Sequence, residues 1–311
     1  MITKTKFNQL KSMSMSCAHL FKYMINLLNK FLVRKTTLFL IFIILYGCAV
    51  SNKMMLGSDV AEIALPLSFE SQKRKIQKNP NNQLFYLNAS KSRITYAYGI
   101  LMEKGDRLMY SDYYKSREYY AKSLDLFVIS RNYLFNALEI KYENFIQKMR
   151  NKEEIAFEKE DIDYLYWLSG SLAGSIQASQ GDPQYLIDLP SIKWLLENAI
   201  TVDPNWENGT LSAAMMSVYL NDLSGDKNAQ KTALSYFELA EKQSNGLNAS
   251  IYVTLAENYA VSKQDKKLFI ELLDKAINID INKDKSLKQS NKLSQSRAKW
   301  LKSRVDDLFY M

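Results

Sequence analysis

The chain has 311 residues, with 41 Lys and Arg against 33 Asp and Glu, a formal charge of +8 that on its face points to nucleic acid or an anionic membrane. Seven basic residues and no acid fall within residues 1–47, so the remaining 264 carry 34 basic against 33 acidic side chains and no longer argue for nucleic acid. His19 and Cys17 lie in the same stretch, and residues 48–311 hold no histidine and one cysteine, Cys48, which excludes Ser-His and Cys-His catalysis, His-liganded zinc and an internal disulfide. Carboxylate, Lys, Tyr or cofactor chemistry stays open in principle. Five prolines and ten glycines are too few for a sandwich, a barrel or a collagen-like chain.

Arg34-Lys35 precedes Thr36-Thr37 and nine apolar residues, Leu38 to Tyr46. Nine residues span about 14 Å as a helix, short of a bilayer core of roughly 30 Å. A basic stretch followed by a short apolar one is a secretory signal. It ends in Leu45-Tyr46-Gly47-Cys48, which resembles a bacterial lipobox, with Tyr46 bulkier than usual. Residues 1–47 are therefore expected to be a lipoprotein signal peptide, with Met24 an alternative start. Cys48 is then the acylated N-terminus of an extracytoplasmic, tethered protein, on either the inner or the outer bacterial membrane, since more than one acyl chain makes attachment stable. Residues 48–85 read as a lipidated tether and residues 86–311 as the folded domain.

No glycine falls between Gly105 and Gly170 and no proline between Pro80 and Pro183, which favours long helices. Tyr120, Leu124, Phe127, Leu134, Leu138 and Phe145 form one helical stripe. Ile192, Leu195, Leu196 and Ala199 repeat the spacing i, i+3, i+4, i+7, with Pro190 near the helix start. Tyr252 to Tyr259 and Phe269 to Ala276 do the same, and a last stripe runs from Leu287 to Leu308. No run alternates with period two, so the class is all-α.

Residues 249–260 and 265–278 read as a helix pair with small residues, Ala256 and Ala276, at the crossing and an aromatic, Tyr259, beside it. That is the tetratricopeptide device. Ala229–Ala240 matches the second helix of an earlier unit, and Asp203-Pro204 ends the helix of Trp194. The expected architecture is an irregular tetratricopeptide-like helical-repeat solenoid with a concave face; an irregular helical bundle would carry the same stripes.

The first helices of successive units, 163–178, 208–220 and 249–260, would build that face. They present Tyr166, Trp167, Trp206, Tyr219, Tyr252 and Tyr259, with Gln264 and Asp265 at a turn. Tyr and Trp combine apolar bodies with polar tips and suit a half-wet groove. Packing is the competing reading for Tyr259 and Trp206, which hold repeat-framework positions. The acidic pairs Asp161/Asp163, Glu153/Glu154 and Asp306/Asp307 read as solvated faces, since nothing places them in a cleft. Ser296-Arg-Ala-Lys299 fits Ser-x-x-Lys but lacks its companion motifs. No phosphate loop, metal set or cofactor motif is present.

Several local signatures occur in order: Asp163-Tyr-Leu-Tyr-Trp167; Asp188-Leu-Pro190; Ala199-Ile-Thr-Val-Asp-Pro204 with Trp206 and Gly209; Ala233–Ala240; Tyr259 to Asp265 with Phe269; and Asn291, Arg297-Ala298, Leu301 and Asp306 to Phe309. Behind a lipobox, this set resembles the TRAP-transporter-associated TPR-containing lipoproteins, the T-component family (TatT), from about residue 93 onward. The sequence departs from that family at Gly225-Asp226, where a Gly-Gly-rich loop is usual. The resemblance implies a non-enzymatic, cofactor-free periplasmic lipoprotein that forms a homotrimer and works with a substrate-binding protein feeding a TRAP permease. It also implies a cleft or pore in each subunit, and so passage of an apolar or organic-acid ligand. A lipid-anchored scaffold for envelope or outer-membrane assembly is the alternative.

Overall fold

A computed structural model describes residues 58–222 and 225–310. Cys48, the signal segment and the start of the expected tether lie outside these residues. All described regular structure is helical, so the all-α reading holds. In chain order the helices are α1 Ser58–Lys78, α2 Gln83–Tyr96, α3 Glu103–Leu108, α4 Tyr113–Lys141, α5 Phe145–Asn151, α6 Ile162–Ala178 and α7 Pro183–Leu186. Next come α8 Leu189–Val202, α9 Thr210–Leu220, α10 Ala229–Gln243, α11 Ala249–Leu255, α12 Lys266–Asn278, α13 Lys288–Lys302 and α14 Val305–Leu308. Two π-helical turns, Ala97–Met102 and Ala256–Ala260, continue α2 and α11.

Side chains cap the helix starts. Asn82, Asp112, Asn248 and Asp265 accept from the backbone N–H groups of Phe85, Lys115, Ser250 and Leu268, satisfying donors that a helix leaves open. Long helices then stack in sequence: α2 on α4, α4 on α6, α6 on α8, α9 on α10, and α11 on α12 with α13 against both. Each contact is local along the chain, as in a repeat array.

The 29-residue α4 is the longest helix. Its inner face alternates large and small. Ser116, Ser123, Ser130 and Ala137, seven apart, are fully buried beside Phe127 and Leu134. Ser123 and Ser130 hydroxyls donate to the carbonyls of Tyr119 and Leu126, one turn back, so burying them leaves no hydroxyl unpaired. The predicted stripe ends earlier than its spacing implies: α4 stops at Lys141, Asn144 adopts φ 58°, and Phe145 starts a separate helix. A left-handed residue breaks the helix without disturbing the hydrophobic count.

The tether reading fails over residues 58–85. Ser58–Lys78 forms α1, with Ile76 buried, and Gln83 to Phe85 begin α2. The buried Arg93 explains why α1 docks: its guanidinium donates to Gln72 Oε1 at 2.8 Å, Ala89 O at 2.9 Å and Phe69 O at 3.0 Å. It also stacks 4.4 Å from the Phe69 ring, a cation–π contact strengthened by desolvation.

Gly174 on α6 lies directly against the Phe127 ring of α4. A Cβ added there would lie 2.5 Å from the Phe127 ring. Gly174→Ala is expected to destabilise the body by about 1–3 kcal/mol, the usual overpacking cost, measured as a lower urea midpoint with unchanged m-value. An unchanged midpoint would show that the Phe127 ring yields freely.

Candidate ligand and docking site

Two of the predicted groove residues meet on α6. The Tyr166 and Trp167 rings lie 5.5 Å apart, and Trp206 tilts onto Tyr166 at 5.1 Å. Trp206 reaches that place through a tight turn in which Glu207, Asn208 and Gly209 all have positive φ, at 44°, 54° and 88°. Only glycine suits the third position, because a Cβ there would sit 2.8 Å from Gln243 Cβ. Gln243 holds the turn from α10: its amide donates to Pro204 O at 2.7 Å and Asn205 Oδ1 at 3.0 Å, while its oxygen accepts from the Ser212 hydroxyl.

Charged groups rim this cluster. Lys91 Nζ binds Asp163 Oδ1 at 2.7 Å and lies 5.7 Å from the centre of the Trp167 ring. Desolvation, together with the neighbouring Asp163, holds the Glu207 carboxyl above the usual carboxylate range. Burial pushes the Tyr166 phenol up to about 12, with Glu207 adding to the shift.

Behind Tyr166 opens a cavity of about 230 Å³. Its walls are the first helices of three successive units: Tyr166 of α6, Ala213, Ala214 and Ser217 of α9, and Ile251 and Thr254 of α11. Leu287 and Ser290 close it from the start of α13. None of its lining residues is ionisable except the Tyr166 phenol. A larger hollow of about 680 Å³ at the α1–α2 turn is wide open and lined mostly by Lys, Asn and Gln, with Pro80, Leu84 and Tyr164 beside them.

The other predicted residues are elsewhere. Tyr219 stacks on Tyr236 at 5.7 Å beneath Lys193. Tyr252 is 4% exposed and donates to Glu241 Oε1 at 2.8 Å. Tyr259 packs beside the second core cluster under Lys263. Gln264, at φ 54°, donates to the carbonyls of Val261 and Leu308 and accepts from Tyr310 N–H. Asp265 caps α12. Of the eight, then, Tyr166 alone lines the cavity, and Trp167 lies outside that lining, edge-on to the Tyr166 ring. The cavity's hydroxyl wall, Ser217, Thr254 and Ser290, escapes sequence reasoning because such residues look like surface.

Asp161 is not on a solvated face as expected. It is 3% exposed and accepts from Lys141 at 2.9 Å, from Tyr142, and from the Glu158 N–H at 2.8 Å. Its pair-mate Asp163 turns instead to Lys91, so the two carboxylates do not share a cleft. Among the described residues, no group of three or more His, Cys, Asp or Glu is placed to hold a metal ion.

Comparison with known proteins shows where this arrangement belongs. Residues 59–309 match the family described as "TRAP transporter T-component". The chain belongs to that family. An uncharacterized protein of Treponema pallidum (strain Nichols) is 21% identical over 258 residues, covering 81% of this chain and 80% of that one. T-components are accessories of TRAP transport and not an enzyme family, and membership suggests a place on the periplasmic side. No described helix is long and apolar enough to cross a membrane.

Two partly buried phenols give this T-component a defined alkaline limit. Tyr166 and Tyr142 are both pushed to about 12, each chiefly by burial, against about 10 in the unfolded chain. Between roughly pH 10 and 12 the unfolded chain releases these protons and the folded chain keeps them, so stability must fall as pH rises through that window. Urea midpoints at pH 9 to 12 should decline, and Tyr166→Phe should flatten part of the decline. A flat profile would contradict the burial of these rings.

Proposed function

We propose that the protein is a lipid-anchored, trimeric periplasmic component of a TRAP-type solute uptake system. It docks the substrate-binding protein and passes on a small apolar ligand. The observation that carries this reading is the cavity between the first helices of three units, lined by apolar groups, hydroxyls and the Asn248 amide, with no charged side chain. Binding sites combine apolar walls with a few orienting polar groups. A carboxylate guest would need a cationic partner to offset its desolvation, so the lining supports the apolar ligand over the organic acid. Cys48 supplies the anchor in this reading, and Trp167 with Lys91 and Asp163 supplies the docking face, since aromatic side chains commonly dominate protein interfaces.

Two substitutions separate ligand from partner. Ala214→Leu adds volume inside the cavity and should weaken binding of a neutral naphthylamine dye by about tenfold, or 1.4 kcal/mol, while leaving capture of the binding protein intact. Trp167→Ala should do the reverse, weakening capture by about 30-fold as a 2 kcal/mol hot spot would, with dye affinity unchanged. Both are read by titration calorimetry beside thermal melts. Equal loss of both activities in step with melting temperature would reduce these residues to packing.

The anchor is tested separately. Cys48→Ser should abolish acyl labelling and release the protein from membranes. Retention of label would refute the lipobox.

A further inference from the structure

The path of α1 places the start of the body beside an exposed aromatic patch. Along α1, Glu62 pairs with Lys104, the Phe69 ring meets Tyr96 at 5.9 Å, and Gln72 meets Ser92 at 2.9 Å. Thus α1 runs antiparallel to α2, and its first turn lies at α3. In turn α2 runs antiparallel to α4, with Gln83 reaching Ala137 O at one end and Gly105 O accepting from Ser116 at the other. The first turn of α1 and the first turn of α4 therefore share one end of the body.

That end is unusual in what it exposes. Tyr110, Tyr113 and Tyr114 are 77%, 54% and 84% exposed, the last two edge-on to each other. Ile63 and Leu67, one turn apart on α1, are also exposed. Lys104, Lys115 and Lys122 all lie within 6.0 Å of the centre of the Tyr119 ring, and Arg304 covers Tyr110 at 4.7 Å. Exposed tyrosines, aliphatic tips and lysines on a single end are the composition that settles at the headgroup layer of a bilayer. Lys104 pairs with Glu62 and Lys115 with Glu118 on the free body, and anionic headgroups compete with those carboxylates for Lys and Arg brought near them.

Chain length supplies the occupant. Only residues 49–57 separate Cys48 from Ser58, and nine residues fully extended reach at most about 30 Å. We propose that this Tyr–Lys end of the body seats on the anionic headgroups of the membrane that carries the anchor, setting the orientation of the repeat array. This rests on the membrane attachment read at Cys48. The other end of α4, at Ile140, is then held away from the bilayer, 26 residues or about 39 Å distant along the same helix.

The test is built so that lipidation does not enter it. Residues 49–311, which contain the entire packed body, are given an N-terminal hexahistidine and held on phosphatidylcholine–phosphatidylglycerol vesicles through a nickel-chelating lipid. The segment has no cysteine, so Tyr114→Cys and Ile140→Cys, both at exposed positions, each carry one environment-sensitive dye. A nitroxide near the headgroups should quench the Tyr114→Cys dye about twofold and leave the Ile140→Cys dye unchanged. Omitting phosphatidylglycerol, or adding Lys115→Glu and Lys122→Glu, should restore the signal. Equal quenching at both sites, or none at either, overturns the seating. So does a blue shift at Tyr114→Cys without nitroxide quenching, which would assign the patch to a protein contact. Far-UV circular dichroism checks that each variant is folded.

Discussion

One guanidinium joins the two ends of the body's sequence. Arg297 donates to Glu103 Oε1 at 2.5 Å and Asp106 Oδ2 at 2.7 Å, while its Nε and Nη2 fork onto Glu257. Tyr120 adds its phenol to Asp106. The side chain is only 20% exposed, so its charge is matched by carboxylates rather than by water, and their attraction holds its pKa well above the usual value even though burial opposes it. An Arg suits this task better than Lys, since its planar fork can meet several carboxylates at fixed angles. A repeat array bonds only neighbours; this contact spans 194 residues of sequence. It fixes how the α2–α4 end lies against α11 and α13.

Both carboxylate-bearing segments depend on a change of helical pitch. The π turn Ala97–Met102 immediately precedes Glu103, and the π turn Ala256–Ala260 contains Glu257. A single π turn shifts the phase of every later residue on its helix. Here the shifts accompany carboxylates aimed across the body at Arg297. Long helices with one uninterrupted pitch would leave that choice to chance.

Much of this architecture is legible from residue spacing, because the helices that stack also show three-and-four periodicity. Ile192 to Ala199 and Phe269 to Ala276 appear as buried stripes on α8 and α12. What escapes reading is of two kinds. Helix α1 has Pro66 in its middle and a Lys-rich second half, and what holds it is a buried Arg93 that looks like any surface arginine. The cavity is similarly hidden. Tyr166 is visible as an aromatic on the first helix of a unit, but Ser217, Thr254 and Ser290 acquire meaning only when three helices converge. Gln264 and Asp265 stand out in the sequence as turn residues with free polar groups, and those groups prove to be committed to backbone, Asp265 to the start of α12 and Gln264 to Val261, Leu308 and Tyr310.

The last long helix, α13, ends the array with polar side chains aimed at helix termini. Asn291 accepts from Ala249 N–H at 2.9 Å and donates to Leu247 O at 2.7 Å, and the Gln295 amide reaches the carbonyls of Ala276, Ile277 and Ile279 within 3.1 Å. These bonds occupy the groups that a further unit would need for its own turn. A further helix pair placed directly behind α12 would have to displace Asn291 and Gln295 from these groups. The same helix carries Arg297 and, at its start, closes the cavity with Leu287 and Ser290. Loss of the whole of α13 would therefore strip Leu247 and Ala249 of their Asn291 partner, release Glu103, Asp106 and Glu257 from Arg297, and remove one wall of the cavity in one event.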